Sequence, residues 1–139
     1  MKRKEPVWID VRDVLAVHDQ VLAQHGGASG IRDKNLLESA LARPRQHYHY
    51  SDAADVIYLS ALYVAAVVGN HPFVDGNKRT GFVAGILFLE LNGFQFAASE
   101  EDTAQAVFSL ASGKLDEDEF AHWLRSNTKR RHWIEVAPV

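Results

Sequence analysis

Between two apolar segments the chain reads His71-Pro72-Phe73-Val74-Asp75-Gly76-Asn77-Lys78-Arg79-Thr80-Gly81. A helix is predicted to begin near Asn77 and to run to about Leu91, because these residues are apolar almost all round, which is typical of a central, buried helix. Asn92-Gly93 then forms a strong C-terminal stop. The apolar segment before the quoted stretch predicts another helix, the third in chain order, that ends at about Gly69. The sequence therefore predicts a short loop that two buried helices hold from both sides.

This loop collects the groups that phosphoryl transfer requires. Gly76 lies where the helix begins, and the free N–H groups of a first helical turn form a site for anions. Lys78 and Arg79 add positive charge to that turn, which opposes the helix dipole unless an anion binds there. Asp75 supplies a hard oxygen ligand that suits Mg²⁺. His71, at the other end of the loop, could accept a proton from an attacking hydroxyl.

Each of these residues also has an ordinary structural interpretation. Asp75 could simply cap the helix, and Asp75-Gly76 is a common turn pair. A single histidine in a loop is usually a polar surface residue, as His71 could be. Lys78 and Arg79 could form a solvated face. The combination of all these residues, in this order and at this junction of loop and helix, favours the functional interpretation.

The remainder of the chain predicts four further helices and little else. Apolar residues near a 3.6-residue period predict the first helix over residues 10–24, before a flexible, glycine-rich break. The other boundaries come from capping and stop residues. Asp33 caps a second helix that Pro44 stops, Ser51 or Asp52 opens the third, Ser99 caps a fifth that ends at about Ala111, and Asp116 caps the sixth. Residues 94–96 are predicted to be extended, and residues 46–50 to form a loop.

Length and composition indicate one globular domain. The chain has 139 residues, of which 47% are apolar, and we predict a domain over residues 1–128 followed by a tail over 129–139. The net charge of −3 argues against a broad nucleic-acid-binding surface. The chain has no cysteine, so disulfides and thiolate catalysis are excluded. No apolar run is long enough for a membrane span and no signal core follows the N-terminus, so we expect a cytoplasmic protein without a membrane partner.

The segment His47-Tyr48-His49-Tyr50 has three interpretations. It could form a flap beside the site that docks a target chain as an extra strand. It could equally be a surface loop with buried tyrosine rings. A metal site at His47 and His49 is the weakest of the three, because no third ligand is nearby. The histidines elsewhere are expected to face solvent; they are His18, His25, His122 and His132.

The stretch from His71 to Arg79 resembles the signature of the Fic/Doc family. Ile31-Arg32-Asp33, together with residues 36–41 and Pro44, is similar to the upstream segment of the Doc branch. The resemblance implies a compact, single-domain, all-α bundle of about six helices with the signature loop between two central helices. It also implies roles for the loop residues. His71 would be the general base, Asp75 would hold Mg²⁺, and the phosphates would be bound by Gly76, Asn77, Lys78 and Arg79.

Two departures from the adenylyltransferase pattern of this family bear on the reaction. That pattern has glycine where this chain has Lys78, and a second arginine where this chain has Phe82. In the Doc branch, lysine at this position accompanies transfer of the γ-phosphate of a nucleoside triphosphate such as ATP. The resemblance therefore implies a protein kinase toxin that arrests translation by modifying a hydroxyl of elongation factor Tu. The alternatives are a Fic-type adenylyltransferase and a non-catalytic helical binding module.

Control of the activity is expected to come from a second protein. Many Fic proteins carry an inhibitory helix with Ser or Thr, three residues, Glu, and then Gly or Asn. None of the glutamates of this chain completes that pattern. A Doc-like toxin would instead be held inactive by a separate antitoxin in the bacterial cytoplasm, through a disordered segment that folds on the toxin as a helix.

Overall fold

Within residues 4–131, which are the residues that the computed structural model describes, the chain forms six α-helices and two short β-strands. In chain order they are α1 (Val11–His25), α2 (Lys34–Tyr50), α3 (Val56–Asn70), α4 (Asn77–Leu91), β1 (Phe94–Phe96), α5 (Glu100–Ala111), α6 (Glu117–Ser126) and β2 (Thr128–Arg130). This arrangement confirms the predicted all-α bundle of about six helices. None of these helices is long and apolar enough to cross a membrane.

Helix α3 lies at the centre and is buried on nearly all sides. It packs against α4, α2 and α6, and α1 packs on α4. Leu62 and Tyr63 of α3 belong to a core cluster on the side of α1 and α2, whereas Ala61 and Val64 belong to a second cluster on the side of α5 and α6. Burial raises the pKa of Tyr63 to about 12, so its hydroxyl stays neutral in the core. The two clusters hold α3 from two sides along its length and so fix its position relative to the other helices.

The backbones of α3 and α4 approach each other closely at Gly85. A Cβ atom placed on Gly85 would lie 2.5 Å from Cγ2 of Val64 and 3.1 Å from the carbonyl oxygen of Ser60. The buried hydroxyl of Ser60 donates to the Gly85 carbonyl oxygen at 2.7 Å. Glycine is therefore required here for steric reasons, and the resulting contact holds the two helices that carry the signature loop at a fixed distance.

The helix starts follow local capping, with one correction to the prediction. Asp33, Ser99 and Asp116 cap α2, α5 and α6, as predicted. The third helix, however, does not begin at Ser51 or Asp52 but at Val56, where the side chain of Asp55 accepts a hydrogen bond from Tyr58 N at 2.8 Å. The carboxylate of Asp55 also pairs with Arg125 of α6 at 2.9 Å. This tertiary contact gives Asp55 an advantage that is not visible in the local sequence.

The prediction that Pro44 stops the second helix was wrong, because α2 continues through Pro44 to Tyr50. Proline in a helix interior removes one hydrogen bond and costs roughly 3 kcal/mol. Here Pro44 is buried, and the turns after it place Tyr48 in the core, where its ring lies 5.5 Å from that of Trp8. The ring of His47 lies 5.0 Å from that of Tyr58. These contacts stabilise the last turns of α2 and offset the cost of the proline.

The two strands pair antiparallel, with Phe94 opposite Arg130 and Phe96 opposite Thr128. The extended segment at residues 94–96 was predicted, but β2 was not, and it crosses the boundary predicted between the domain and its tail. Asn127 O accepts from Ala97 N at 2.9 Å and Gly93 O from Arg131 N at 2.8 Å, which extends the pairing at both ends. The rest of the predicted tail, which includes His132, lies outside the described residues.

We expect Gly85→Ala to destabilise the protein by about 1–3 kcal/mol, because the new methyl group overpacks the α3–α4 contact. The matched control is Gly69→Ala on α3, where an added Cβ meets no atom within 4 Å. Helix propensity favours that second change by up to about 1 kcal/mol. Urea unfolding followed by circular dichroism measures both values. Equal stability of the two variants would contradict the close packing described here.

Candidate active site

The loop between α3 and α4 is bounded by two residues with left-handed backbone conformation. His71 ends α3 with φ 53° and ψ 55°, and its N–H donates to Val67 O at 3.1 Å. Gly76 precedes α4 with φ 79° and ψ 18°. Histidine tolerates this region better than most residues, and glycine enters it without a steric cost. The side chains of His71 and Asp75 are both exposed in this loop.

A buried pair of hydrogen bonds locks the loop onto the first turn of α4. The side-chain oxygen of Asn77 accepts from Phe73 N at 2.9 Å, and its side-chain nitrogen donates to Phe73 O at 3.0 Å. Phe73 is fully buried and Asn77 nearly so. The resemblance implied that Asn77 binds phosphate, but its side-chain amide is buried and bonded to Phe73 through both its oxygen and its nitrogen. Its main-chain N–H, in the first turn of α4, has no intrahelical acceptor and can donate to a ligand.

The connection between α1 and α2 crosses the loop and holds it from outside. Ile31 and Phe73 form an isolated antiparallel bridge. Pro72 O accepts from Arg32 N at 2.7 Å and from Asp33 N at 3.0 Å. The guanidinium of Arg32 also donates to His71 O at 2.7 Å and to the carbonyl oxygen of Asn70, the last residue of α3, at 3.0 Å. The upstream segment, which was singled out only by resemblance, thus fixes the backbone beneath His71.

Both carboxylate oxygens of Asp75 accept backbone hydrogen bonds. Oδ1 accepts from Gly76 N at 2.9 Å, and Oδ2 accepts from Ala28 N at 3.2 Å. A Cβ atom on Gly27 would lie 2.8 Å from Oδ2, so the glycine-rich connection approaches Asp75 closely. Each oxygen keeps a second lone pair, and the side chain is exposed. Asp75 can therefore hold a divalent cation.

The chemistry of this carboxylate fits Mg²⁺. Among the described residues there is no group of three or more His, Cys, Asp or Glu side chains that could hold a metal ion. Mg²⁺ commonly binds one or two carboxylates and completes its shell with water and substrate phosphates. A single exposed carboxylate beside an anion site satisfies that pattern, whereas a structural zinc site needs about four protein ligands.

The start of α4 has the features that an anion site requires, and no side chain competes for it. No side chain caps this helix, so the N–H groups of its first turn point outward without an intrahelical acceptor. Lys78 and Arg79 are both exposed in that turn, and neither forms an ion pair within residues 4–131. Two unpaired cations at the positive end of a helix dipole are unfavourable until an anion binds.

One histidine that the sequence predicted at the surface lies beneath this loop. His18 of α1 is only 4% exposed, and its ring stacks on Phe73 with centroids 3.8 Å apart. Its Nε2 lies 2.9 Å from Asp75 O. The signal was present in the sequence, because position 18 lies between Val14 and Val21 on the apolar face of α1. His25 and His122 are exposed, as predicted.

The predicted flap at His47, Tyr48, His49 and Tyr50 is wrong. These residues form the last turn of α2, so their N–H groups are used within the helix and their backbone is not extended, which leaves no strand edge to which a target chain could be added. Tyr48 is buried in the core, while Tyr50 is 91% exposed. The described residues also give no support to a metal site at His47 and His49. The segment that does lie against the signature loop is the α1–α2 connection.

The chain is similar to proteins of known family. The sequence model of the Fic/DOC family matches residues 8–89, which is more than half of the chain. Protein kinase doc of Escherichia phage P1 is 32% identical over 117 residues, which cover 84% of this chain and 92% of that protein. Toxin Doc of Mycolicibacterium smegmatis (strain ATCC 700084 / mc(2)155) is 34% identical over 117 residues, which cover 82% of this chain and 88% of that protein. The family match spans the loop, the α1–α2 connection and most of α4.

Replacing Asn77 with Asp tests the lock on the loop. The variant keeps an acceptor for Phe73 N, but it places a carboxylate oxygen against Phe73 O in a buried position. We expect a loss of roughly 1–3 kcal/mol or more in the free energy of unfolding, because one oxygen of the buried carboxylate and Phe73 O face each other without a hydrogen between them. Asn35→Asp, at an exposed position in the first turn of α2, is the control and should be neutral or slightly stabilising. A small effect at Asn77, similar to that at Asn35, would refute the lock.

Replacing Lys78 with Gln should change stability and anion binding in opposite directions. The unliganded protein should become more stable by roughly 0.3–1 kcal/mol, because a cation leaves the positive end of the α4 dipole. The affinity for tripolyphosphate, measured by calorimetry, should fall about tenfold, because one charge-assisted hydrogen bond is lost. Lys114→Gln in the α5–α6 turn serves as the control for net charge and should change neither value. A destabilised Lys78→Gln variant with unchanged affinity would argue against an anion site here.

Proposed function

The chain belongs to the Fic/DOC family, and from this premise we propose that it is a Doc-type toxin that transfers the γ-phosphate of ATP to a hydroxyl of a protein. The observation that carries the proposal is the uncapped start of α4 with its two exposed cations, Lys78 and Arg79, which form no ion pair with any residue between 4 and 131. This feature costs stability in the free protein, so it indicates a site for a polyanion rather than a structural device. The names of the relatives, Protein kinase doc and Toxin Doc, agree with this reaction and role.

The residues around that helix start supply the other parts of the reaction. His71 is exposed at the opposite end of the loop, where its ring can accept the proton of the attacking hydroxyl. The hydroxyl oxygen forms a bond to the γ-phosphorus, the bond to the β-phosphate oxygen breaks, and ADP leaves. The main-chain N–H groups of Asn77 and Lys78, with the side chains of Lys78 and Arg79, bind the phosphates, and Gly76, which has no side chain, lets them approach the backbone.

Asp75 would hold the metal of the nucleotide. When bound, Mg²⁺ would neutralise part of the negative charge on the phosphates and help to align them. The hydrogen bonds to Ala28 N and Gly76 N fix both carboxylate oxygens before any ligand arrives. Such preorganisation favours catalysis, because the protein does not have to reorder the site during the reaction.

Kinase activity is favoured over adenylyl transfer by two residues of α4. Lys78 places a long cationic side chain where an adenylyltransferase has glycine, and it therefore occupies part of the phosphate site. Phe82 stands where an adenylyltransferase has its second arginine, and its ring packs on Phe96 with centroids 5.3 Å apart. That position contributes to the second core cluster and offers no charge to a phosphate.

The proposed partners follow from the proposed class of toxin. We assign a hydroxyl of elongation factor Tu as the target, so that modification arrests translation in the bacterial cytoplasm. An antitoxin would hold the protein inactive in trans, because the chain has no inhibitory helix pattern of its own. Neither nucleic acid nor membrane is part of this proposal.

Intact mass spectrometry of elongation factor Tu after incubation with this protein, Mg²⁺ and ATP tests the proposal. We expect a gain of one phosphate with the wild-type protein, no gain with His71→Ala, and at least a hundredfold slower gain with Asp75→Asn, in line with the size of general-base and metal contributions. His25→Ala, at another exposed histidine, is the control and should retain full activity.

The other outcomes discriminate between the alternatives. A gain of AMP in place of phosphate would assign the protein to the adenylyltransferases. If wild type and His71→Ala both bind ATP and neither modifies any protein of a bacterial lysate, the protein is a non-catalytic binding module. A phosphate gain on a different lysate protein would keep the kinase and replace the target.

A further inference from the structure

His18 contacts the signature loop at two points on either side of the exposed residue Val74. Its ring stacks on Phe73 at an interplanar angle of 9°, and its Nε2 lies 2.9 Å from Asp75 O. A carbonyl oxygen can only accept a hydrogen bond, so Nε2 carries the hydrogen and donates it. The reaction proposed above gives this buried polar group no part.

The Asp75 carbonyl and the Gly76 N–H belong to the same peptide group. Because the peptide group is planar, holding its oxygen also fixes the direction of its N–H. That N–H donates to Oδ1 of the Asp75 carboxylate at 2.9 Å. His18 thus holds one end of a peptide plane whose other end orients the carboxylate.

This peptide group needs an external restraint, because glycine follows it. Gly76 has φ 79°, but glycine adopts positive and negative φ about equally well, so the peptide between Asp75 and Gly76 has little intrinsic preference for the observed orientation. Rotation of the plane would move the N–H away from Oδ1 and alter the start of α4. The hydrogen bond from His18 Nε2 restrains this peptide oxygen from outside the loop.

We infer that His18 is a positioning residue that orients the Asp75 carboxylate for the metal through the peptide group between Asp75 and Gly76. The inference rests on the proposed metal-holding role of Asp75. It assigns the imidazole two separable contributions: the stacking on Phe73 stabilises the fold, while the hydrogen bond to Asp75 O sets the site.

Two substitutions of His18 separate these contributions. His18→Phe keeps an aromatic ring against Phe73 but removes the donor. His18→Gln loses the ring but keeps an amide donor that can reach the place of Nε2. Val14→Ala, at a fully buried position one turn earlier on α1, controls for a general loss of stability.

The first readout is the Mg²⁺ concentration that gives half-maximal phosphate transfer. We expect His18→Phe to raise it about tenfold, the equivalent of one net hydrogen bond. His18→Gln should stay within about threefold of wild type, although its melting temperature falls further. Val14→Ala should lower the melting temperature and leave the Mg²⁺ dependence unchanged. Equal Mg²⁺ dependence in His18→Phe and Val14→Ala would overturn the inference.

The second readout does not depend on activity. Amide hydrogen exchange of the segment 74–78, measured by mass spectrometry without nucleotide, should be faster in His18→Phe than in Val14→Ala, and near wild type in His18→Gln. If wild-type protein transfers no phosphate, the proposed function fails, and this exchange experiment still decides whether His18 orders the peptide. Unchanged exchange in His18→Phe would reject that role.

Discussion

The side-chain amide of Asn77 closes a ring on the backbone of Phe73, and the arrangement of the candidate site depends on this pair of buried hydrogen bonds. The loop has only a few residues in which to turn from the end of α3 to the start of α4. One amide that satisfies both the N–H and the carbonyl of Phe73 fixes that turn without any further residue. Because Phe73 is itself anchored in the core, the lock transmits the rigidity of the α3–α4 pair to the exposed loop.

The same constraint explains why the chemistry is confined to one side of the loop. The buried side faces α1 through His18 and Phe73, and the outer edge is crossed by the α1–α2 connection through Arg32 and Ala28. The polar side chains that these contacts leave exposed are those of His71, Asp75, Lys78 and Arg79. A site supported in this way is held on a rigid scaffold by neighbours whose own conformations are fixed.

The sequence predicted the elements around the loop well, because their signals are local. Gly76 and Asn77 mark the start of α4, and Ser99 and Asp116 cap their helices as expected. The errors have tertiary causes. Core burial of Tyr48 carries α2 past Pro44, and β2 forms only because β1 is available to pair with it. No periodicity or capping rule contains such information.

The separate roles of the residues in the site also could not be predicted from the sequence. The motif presents Asn77 as one polar residue among several, and only the fold shows that its side-chain amide is buried and bonded to the backbone of Phe73. His18 was predicted to face solvent, but it is buried beneath the loop. Its place on the apolar face of α1 was the one clue, and even that clue indicates burial without naming Asp75 as the partner.

The unfavourable features of the molecule cluster where the function is proposed. The first turn of α4 has no capping side chain, and its two cations have no ion-pair partner in the part of the chain that the structure describes. The hydroxyl of Thr80, buried at the end of that turn, has no hydrogen-bond partner among the described residues. Each feature costs on the order of 1 kcal/mol. The helix forms nevertheless because its later turns are buried against α3, where Gly85, Ala84 and Phe88 pack in the core. The buried turns of α4 thus supply the stability that allows its first turn to keep these unfavourable features, which are the ones that the proposed polyanion would relieve.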